Sequence, residues 1–358
     1  MRTLRQNGHR EIYKVRENSS ALFVVCILIL IVVLPVWTRE TGAGAQSAFA
    51  DETRWAILVA GISGDPGLQK EYLQELVDLR GLLEGPLGFP RSHLFVLFDK
   101  QELDPGRIQY QSTRENLENV CKEIAGRASK EDLVFVFLEG HGGFDGNTYK
   151  LNLAGPDPTG EDLAAMFYAI PAQRFVVINA TNCSGGSLEA LSGKGRIVIS
   201  ATRSGNEKNL THLGKYFVEA LANNNADVDK NGRVSIFEAF SYAARKVEEY
   251  YSKEGIMQTE HPMLSDNGDE HALTLAETVD QRSTLLSRSA YLDRGNPLLA
   301  AGDMSPESQA LAKEAQSLEK QIELLKSAKD EMSQEEYEKR LEALLLRLAE
   351  VQARLRKK

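Results

Sequence analysis

Two residues of this sequence, His141 and Cys183, have the types that thiol-based acyl transfer requires. The thiolate is the nucleophile, and a neighbouring imidazole raises the thiolate fraction and can protonate a leaving amine. Acyl transfer also needs hydrogen-bond donors for the developing oxyanion, which are often backbone N–H groups. Gly142 and Gly143 carry no side chains, so a substrate could approach the backbone beside His141. The residue types therefore predict chemistry by a cysteine paired with a histidine.

Both residues follow apolar runs that are typical of buried strands. Residues 133–138 precede His141, and residues 175–178 precede Cys183. A helical stretch over residues 160–169 lies between the runs, so the strands can be parallel neighbours joined by a crossover. Sites in open parallel sheets form beyond the carboxyl ends of the strands. We therefore expect His141 and Cys183 side by side, whereas either residue alone is explained by packing or by a surface loop.

The rest of the central region alternates between strand and helix patterns. This alternation predicts a doubly wound α/β sandwich. The further predicted strands cover residues 55–62, 93–98 and 195–201, and the further predicted helices cover residues 69–83, 113–128, 214–222 and 236–250.

Four apolar residues before a His-Gly turn, and later four apolar residues before Cys-x-Gly-Gly, resemble the caspase-fold cysteine peptidases. That group includes caspases, metacaspases, gingipains and legumain, and residues 54–269 are most similar to its bacterial legumain-like members. The resemblance implies a caspase-like three-layer sandwich with a mostly parallel sheet, and an endopeptidase that needs no cofactor for catalysis. It gives His141 the proton-transfer role, Cys183 the nucleophile role, and the N–H groups of Gly142 and Cys183 the oxyanion role.

The sequence departs from this family at Thr181, where Asp, Glu or Gln commonly stands two residues before the nucleophile. The departure leaves the cleavage preference open. It also keeps a second hypothesis, a catalytically silent caspase-like scaffold that binds partners through its helical tail. In the resembling family, the loop at residues 202–209 helps to wall the specificity pocket, so Arg203 and Glu207 are candidate substrate-binding residues. The alternative is a solvated surface loop.

Charge and the N-terminal pattern bear on partners and location. The chain has 358 residues and a net charge of −9, which gives no electrostatic support for a nucleic-acid partner.

Basic residues precede an apolar run over residues 21–37, and small residues follow up to Ala50. This pattern is typical of an export signal. The 17-residue run is short for a bilayer span of about 20 residues, yet long for the core of a signal peptide. Residues 1–50 are therefore either a cleaved signal peptide or a membrane anchor, and the rest is expected to be extracytoplasmic, secreted or periplasmic.

A disulfide would abolish the proposed chemistry. Cys26 lies in the apolar run, and Cys121 lies on the core face of a predicted helix. The sequence does not exclude a Cys121–Cys183 disulfide, because unpaired thiols in exported proteins commonly form disulfides.

Residues 227–238 match the twelve-residue EF-hand pattern, with Gly232 at the sixth position. The pattern predicts a structural Ca²⁺ site. Its expected ligands are Asp227, Asp229, Asn231, the carbonyl of Arg233, Ser235 and Glu238. The alternative is an ordinary Asp/Asn/Gly turn followed by a capping box from Ser235 to Glu238.

The predicted domains are the peptidase domain over residues 51–280, a linker over 281–304 and a helical tail over 305–358. Ser305 and Pro306 suit a helix start, and Ser333 begins a second helix with Glu336 completing a capping box. Each helix carries a narrow apolar seam that requires a partner helix. The two helices can pair as a hairpin, or as a coiled coil between chains that would support self-association.

Overall fold

A seven-stranded sheet lies at the centre of the body, in the order β3-β2-β1-β4-β7-β8-β9. Neighbouring strands are parallel up to β8, and β9 runs antiparallel along the edge. A separate antiparallel pair is formed by β5 and β6. The strands are β1 (Arg54–Ala60), β2 (Leu94–Phe98), β3 (Tyr110–Gln111), β4 (Leu133–Glu139), β5 (Gly142–Phe144), β6 (Tyr149–Leu151), β7 (Arg174–Asn179), β8 (Arg196–Ser200) and β9 (Met263–Asp266).

This computed structural model describes residues 53–230, 232–268, 271–278, 281–293, 305–327 and 332–356. All of them belong to one structural unit, Glu52–Lys358. The predicted signal or anchor over residues 1–50 lies outside the described residues. Within the described residues, none of the helices combines the length and the apolar character needed to cross a membrane.

Helices cover both faces of the sheet, because residues along each buried strand point alternately to opposite sides. In β1, Ala56 and Leu58 face one core, whereas Ile57 and Val59 face the other. The mostly parallel α/β sandwich of three layers is thus confirmed. The helices are α1 (Pro66–Glu84), α2 (Arg114–Ala125), α3 (Gly160–Phe167), α4 (Leu188–Leu191), α5 (Leu213–Ala222), α6 (Ile236–Glu254), α7 (Leu285–Ser289), α8 (Pro306–Ser327) and α9 (Gln334–Arg356).

Helix starts follow their capping residues. Helix α1 begins at Pro66, earlier than residue 69, because the Asp65 carboxylate accepts the N–H groups of Gly67 and Leu68 at 2.7 and 3.0 Å. Thr113 caps α2 as expected, with its Oγ1 3.1 Å from the N–H of Asn116. Local side-chain chemistry therefore decides where these helices start.

Two features of the sheet region differ from the sequence prediction. Gly142–Phe144 and Tyr149–Leu151 form the β5–β6 hairpin, where no strand is predicted, and Met263–Asp266 adds the edge strand β9, also without a predicted strand. These strands have three or four residues each, too short to show an alternating pattern. The hairpin matters for the site, since it starts directly after His141.

The C-terminal boundary also differs from the expected one. Residues 281–293, assigned to the linker, pack on the body: Leu292 is buried in its core, and its carbonyl accepts the Arg54 guanidinium at 2.6 Å. Residues 294–304 lie outside the described residues. Helices α8 and α9 then pack on each other through a buried cluster, so the seams pair within one chain. The cluster consists of Leu311, Ala315, Leu318 and Val351.

Candidate functional site

The turn that carries His141 starts where β4 ends. Gly140 has φ of +114° and lies against the backbone of Gly61, which follows β1. This tight passage places the half-buried His141 ring with its Nε2 2.9 Å from the carbonyl oxygen of Ser63. A carbonyl oxygen only accepts hydrogen bonds, so in the neutral ring Nε2 carries the proton and Nδ1 carries the lone pair.

The turn that carries Cys183 starts where β7 ends. Cys183 adopts the left-handed conformation, with φ of 59°, and a 3₁₀ turn over Ser184–Ser187 follows. A non-glycine residue in this region costs free energy and points to a functional or structural constraint. The residue is only 1% exposed, and both Cys121 and Cys183 are free thiols. The disulfide left open by the sequence is thus not formed.

The two turns are in direct contact. Strands β4 and β7 pair in parallel, with Leu138 opposite Asn179. Beyond them, the N–H of Gly142 donates to Oδ1 of Asn182 at 2.7 Å. The structure therefore joins the residue after His141 to the residue before Cys183, at the carboxyl ends of adjacent strands.

Only glycine fits at position 142. A Cβ atom there would collide with the backbone oxygen of Asn182 and lie 2.6 Å from the ring of Tyr149. The close approach of the two turns depends on this missing side chain.

Both predicted oxyanion donors are hydrogen-bonded within the protein. The Gly142 N–H is held by Asn182, and the Cys183 N–H donates to the carbonyl oxygen of Glu207 at 2.8 Å. In this conformation neither N–H group is open to a ligand. The residues 203–208 thus cover the Cys183 turn, and we call them the covering segment.

The covering segment contains the two candidate substrate-binding residues. Arg203 is exposed, while its N–H donates to the Glu207 carboxylate at 3.0 Å. The other oxygen of Glu207 lies 2.6 Å from Nδ1 of His261. The Glu207 side chain therefore fastens the segment to the stretch before β9, and Arg203 is the member of the pair that faces solvent.

Thr181 points into the core. It is fully buried, and its Oγ1 lies 2.7 Å from the Tyr149 hydroxyl and 2.8 Å from Oδ1 of Asn179. Asn179 in turn donates to the Ser187 hydroxyl at 2.9 Å. In this structure, the buried side chain at position 181 holds the Cys183 turn together from inside.

Burial controls the state of the thiol. Desolvation raises the pKa of Cys183 above its ordinary value, and the positive charge of Lys208 partly opposes this rise. In this closed conformation the sulfur is therefore held as the thiol.

Sequence reasoning missed a group of buried carboxyls around the His141 turn. Glu139 is 3% exposed and accepts the Gly140 N–H at 2.9 Å, and burial together with the charge of Glu75 raises its pKa. Burial also raises the pKa of Glu75 to about 7. Glu260 is fully buried, accepts the N–H groups at the start of α5, and has its pKa raised by burial to about 8. The one signal of this group in the sequence is Glu139, an acidic residue that ends an apolar run.

The predicted calcium loop brings three carboxylates together. Oxygen atoms of Asp227, Asp229 and Glu238 lie within 4.8 Å of one another. Gly232 has φ of +85°, and its N–H donates to Asp227 at 2.9 Å. Clustered carboxylate oxygens in such a turn suit a hard cation.

The capping-box alternative is present as well. Glu238 and Ser235 bond each other reciprocally at the start of α6, and Glu238 also accepts the Val228 N–H at 2.8 Å. The Arg233 side chain pairs with Asp293 at 2.8 Å, which leaves its carbonyl as the expected ligand. Asn231 lies outside the described residues.

No family model matches the chain, and no curated protein matches it. Among solved structures, the chain is similar to protein GSU0716 from Geobacter sulfurreducens, with a TM-score of 0.40 and 13% identity. The similarity covers 61% of this chain and 95% of that chain.

Proposed function

We propose that the protein is a cysteine endopeptidase that hydrolyses peptide bonds with Cys183 and His141. The observation that carries the proposal is the Gly142–Asn182 hydrogen bond of 2.7 Å, since it ties the neighbours of these two residues together. The left-handed conformation of Cys183 adds support, because such backbone strain clusters at functional sites. The caspase-like resemblance of the motifs and the helix-covered parallel sheet point in the same direction.

The proposed reaction begins with proton transfer from the Cys183 thiol to Nδ1 of His141. Ser63 fixes the ring by accepting its Nε2 proton at 2.9 Å. The sulfur then attacks the carbonyl carbon of the scissile bond. As the C–N bond breaks, the imidazolium returns the proton to the leaving amine. A water molecule, deprotonated by the same imidazole, hydrolyses the thioester and releases the thiol.

A thiol-directed peptide probe tests the proposal. We expect labelling at Cys183 in the wild-type protein, at least a tenfold slower reaction in His141→Ala, and no labelling in Cys183→Ser. His271→Ala is a matched control, because His271 is exposed outside the site. Unchanged labelling in His141→Ala, together with no cleavage of a peptide library, would show that the dyad assignment is wrong.

Two further assignments accompany the proposal. The loop at 227–238 would bind Ca²⁺ as a structural ion, supported by the three neighbouring carboxylates. An extracytoplasmic location, secreted or periplasmic with a signal or anchor over residues 1–50, is supported by the sequence pattern alone. The proposed substrates are peptides or proteins, whether the protein is secreted or periplasmic.

A silent scaffold is the second candidate function. The observations that favour it are the 1% exposure of Cys183 and the solvent-facing leucines of α9, Leu345 and Leu346, which are 48% and 61% exposed. Such a scaffold would bind partners, or a second copy of itself, through the helical tail. Peptide cleavage by wild type and Cys183→Ser, each with and without Ca²⁺, separates the two. Equal absence of cleavage in all four samples would favour the scaffold.

A further inference from the structure

One side chain connects three loops of the site. Oδ1 of Asn182 accepts the Gly142 N–H at 2.7 Å, and its Nδ2 donates to the carbonyl oxygen of Lys208 at 2.7 Å. Asn182 is 9% exposed and directly precedes Cys183. Its carboxamide therefore links the His141 turn, the Cys183 turn and the covering segment.

The orientation of this carboxamide is fixed by its partners. The Gly142 N–H can only donate and the Lys208 carbonyl can only accept, so the oxygen must face Gly142 and the nitrogen must face Lys208. A rotation of the amide would break both bonds. The contact with Gly142 thus persists for as long as the Lys208 carbonyl stays in place.

The covering segment controls the second donor as well. The carbonyl oxygen of Glu207, the residue before Lys208, accepts the Cys183 N–H at 2.8 Å. Two consecutive carbonyls therefore occupy one oxyanion donor directly and hold the other through Asn182. The Glu207 carbonyl accepts from the group that a substrate carbonyl oxygen would use.

We propose that Asn182 is a positioning residue that couples the covering segment to the oxyanion donors. With the segment in place, its carboxamide occupies the Gly142 N–H. When the main chain of an extended peptide displaces the segment, Nδ2 loses the Lys208 carbonyl, the amide rotates, and both donors open together. This inference rests on the proposed peptidase function and adds a residue that gates it.

Two thiol reagents of different chemistry test the coupling. A peptide aldehyde forms a hemithioacetal: the sulfur adds to the carbonyl carbon, and the oxygen receives the thiol proton and sits at the donors. Iodoacetamide alkylates the sulfur with loss of iodide and develops no oxyanion. The reaction of both reagents at Cys183 of the full chain is followed by mass spectrometry, in wild type and in Asn182→Ala.

The readout is the aldehyde ratio, which is the affinity for the peptide aldehyde divided by the rate of alkylation by iodoacetamide. We expect this ratio to be about fivefold to tenfold higher in Asn182→Ala than in wild type. The Gly142 N–H no longer has a competing acceptor there, and one hydrogen bond is worth about that factor. Hydrogen exchange at the Gly142 amide should accelerate in parallel. Asn147→Ala, at an exposed asparagine of the β5–β6 turn, should leave both readouts unchanged.

Asn182→Asp keeps the acceptor for Gly142 but replaces the donor to Lys208 with an oxygen. Because the carboxylate still accepts the Gly142 N–H, this variant should show no rise in the aldehyde ratio; it also serves if the alanine variant does not fold. An unchanged ratio in Asn182→Ala with a reactive thiol overturns the inference alone. A wild-type thiol that iodoacetamide alkylates but no peptide aldehyde captures overturns the proposed function, and the inference with it.

Discussion

The carboxyl groups of Glu75 and Glu139 hydrogen-bond each other at the junction of α1 with the end of β4. Two carboxyls in such contact share one proton, since burial and mutual repulsion disfavour the doubly ionised pair. Glu139 also holds the N–H of Gly140, so the shared proton lies next to the turn that positions His141. The pair therefore links the protonation of the interior to the geometry of the site.

Stability should fall as the pH rises across this pair. Burial raises the folded-state pKa of Glu75 to about 7 and also raises that of Glu139, whereas an unfolded glutamate ionises near about 4.3. Between these two pH values the folded protein therefore binds more protons than the unfolded protein. The stability that this proton binding contributes is lost as the pH rises through about 7. Urea unfolding at pH 5 to 8 should show a falling free energy, and Glu139→Gln should flatten the slope. An equally steep slope in that variant would contradict the assignment.

Gly142→Ala should destabilise the protein and separate the two turns. The added Cβ collides with the Asn182 backbone and the Tyr149 ring, and such overpacking costs about 1–3 kcal/mol. Peptide cleavage should fall with it. Gly143→Ala is the matched control, because a Cβ there meets its nearest atom at 3.6 Å, an ordinary contact. Equal melting temperatures for the two variants would disprove the tight approach.

Thr181→Val should lower stability without changing substrate preference. The valine removes the hydroxyl but not the volume, and leaves the buried Tyr149 hydroxyl and the Asn179 amide with fewer partners, at a cost of about 1–3 kcal/mol. Thr181→Ser, which keeps the hydroxyl, should lose less. Relative kcat/KM values across a peptide set should be the same as in wild type. A changed preference would mean that position 181 faces the substrate after all.

His261→Gln should loosen the covering segment. The hydrogen bond between Nδ1 of His261 and the Glu207 carboxylate, at 2.6 Å, is a side-chain contact that fastens the segment toward β9. Its loss should speed the alkylation of Cys183 by iodoacetamide about fivefold, and His271→Gln should have no effect. A rate equal to that of wild type would show that the segment is held in place without this pair.

Calcium should raise the thermal stability through the loop at 227–238. Ligand present at about 100 times its Kd stabilises a folded protein by about 2.7 kcal/mol. Asp229→Asn should reduce this gain, because it removes a charged oxygen from an exposed member of the carboxylate cluster. Asp104→Asn, in a loop before β3, is the control. A gain of equal size in Asp229→Asn would place calcium elsewhere or nowhere.

The sequence predicts the strands that position the site better than the hydrogen bonds between its loops. Buried apolar runs ending at His141 and Cys183 determine two parallel strands, and parallel strands put their carboxyl ends on one edge. The contacts of Asn182 and Glu207 escape such reasoning, because they join loops that are distant in sequence and have no period. Glu139 escapes it too, since an acid at the end of an apolar run looks like the start of a solvent-exposed turn. The short strand β9 lacks enough residues to show a pattern.

The near-complete enclosure of the Cys183 sulfur has a consequence for how long the protein lasts. Sulfur oxidation to sulfenic acid and beyond follows thiolate character and access, and the resting conformation suppresses both. Peroxides and mixed disulfides in the surroundings should therefore damage the protein slowly while it stands idle. Oxidation of Cys183 would then depend on how often the covering segment moves away from the sulfur, and not on elapsed time alone.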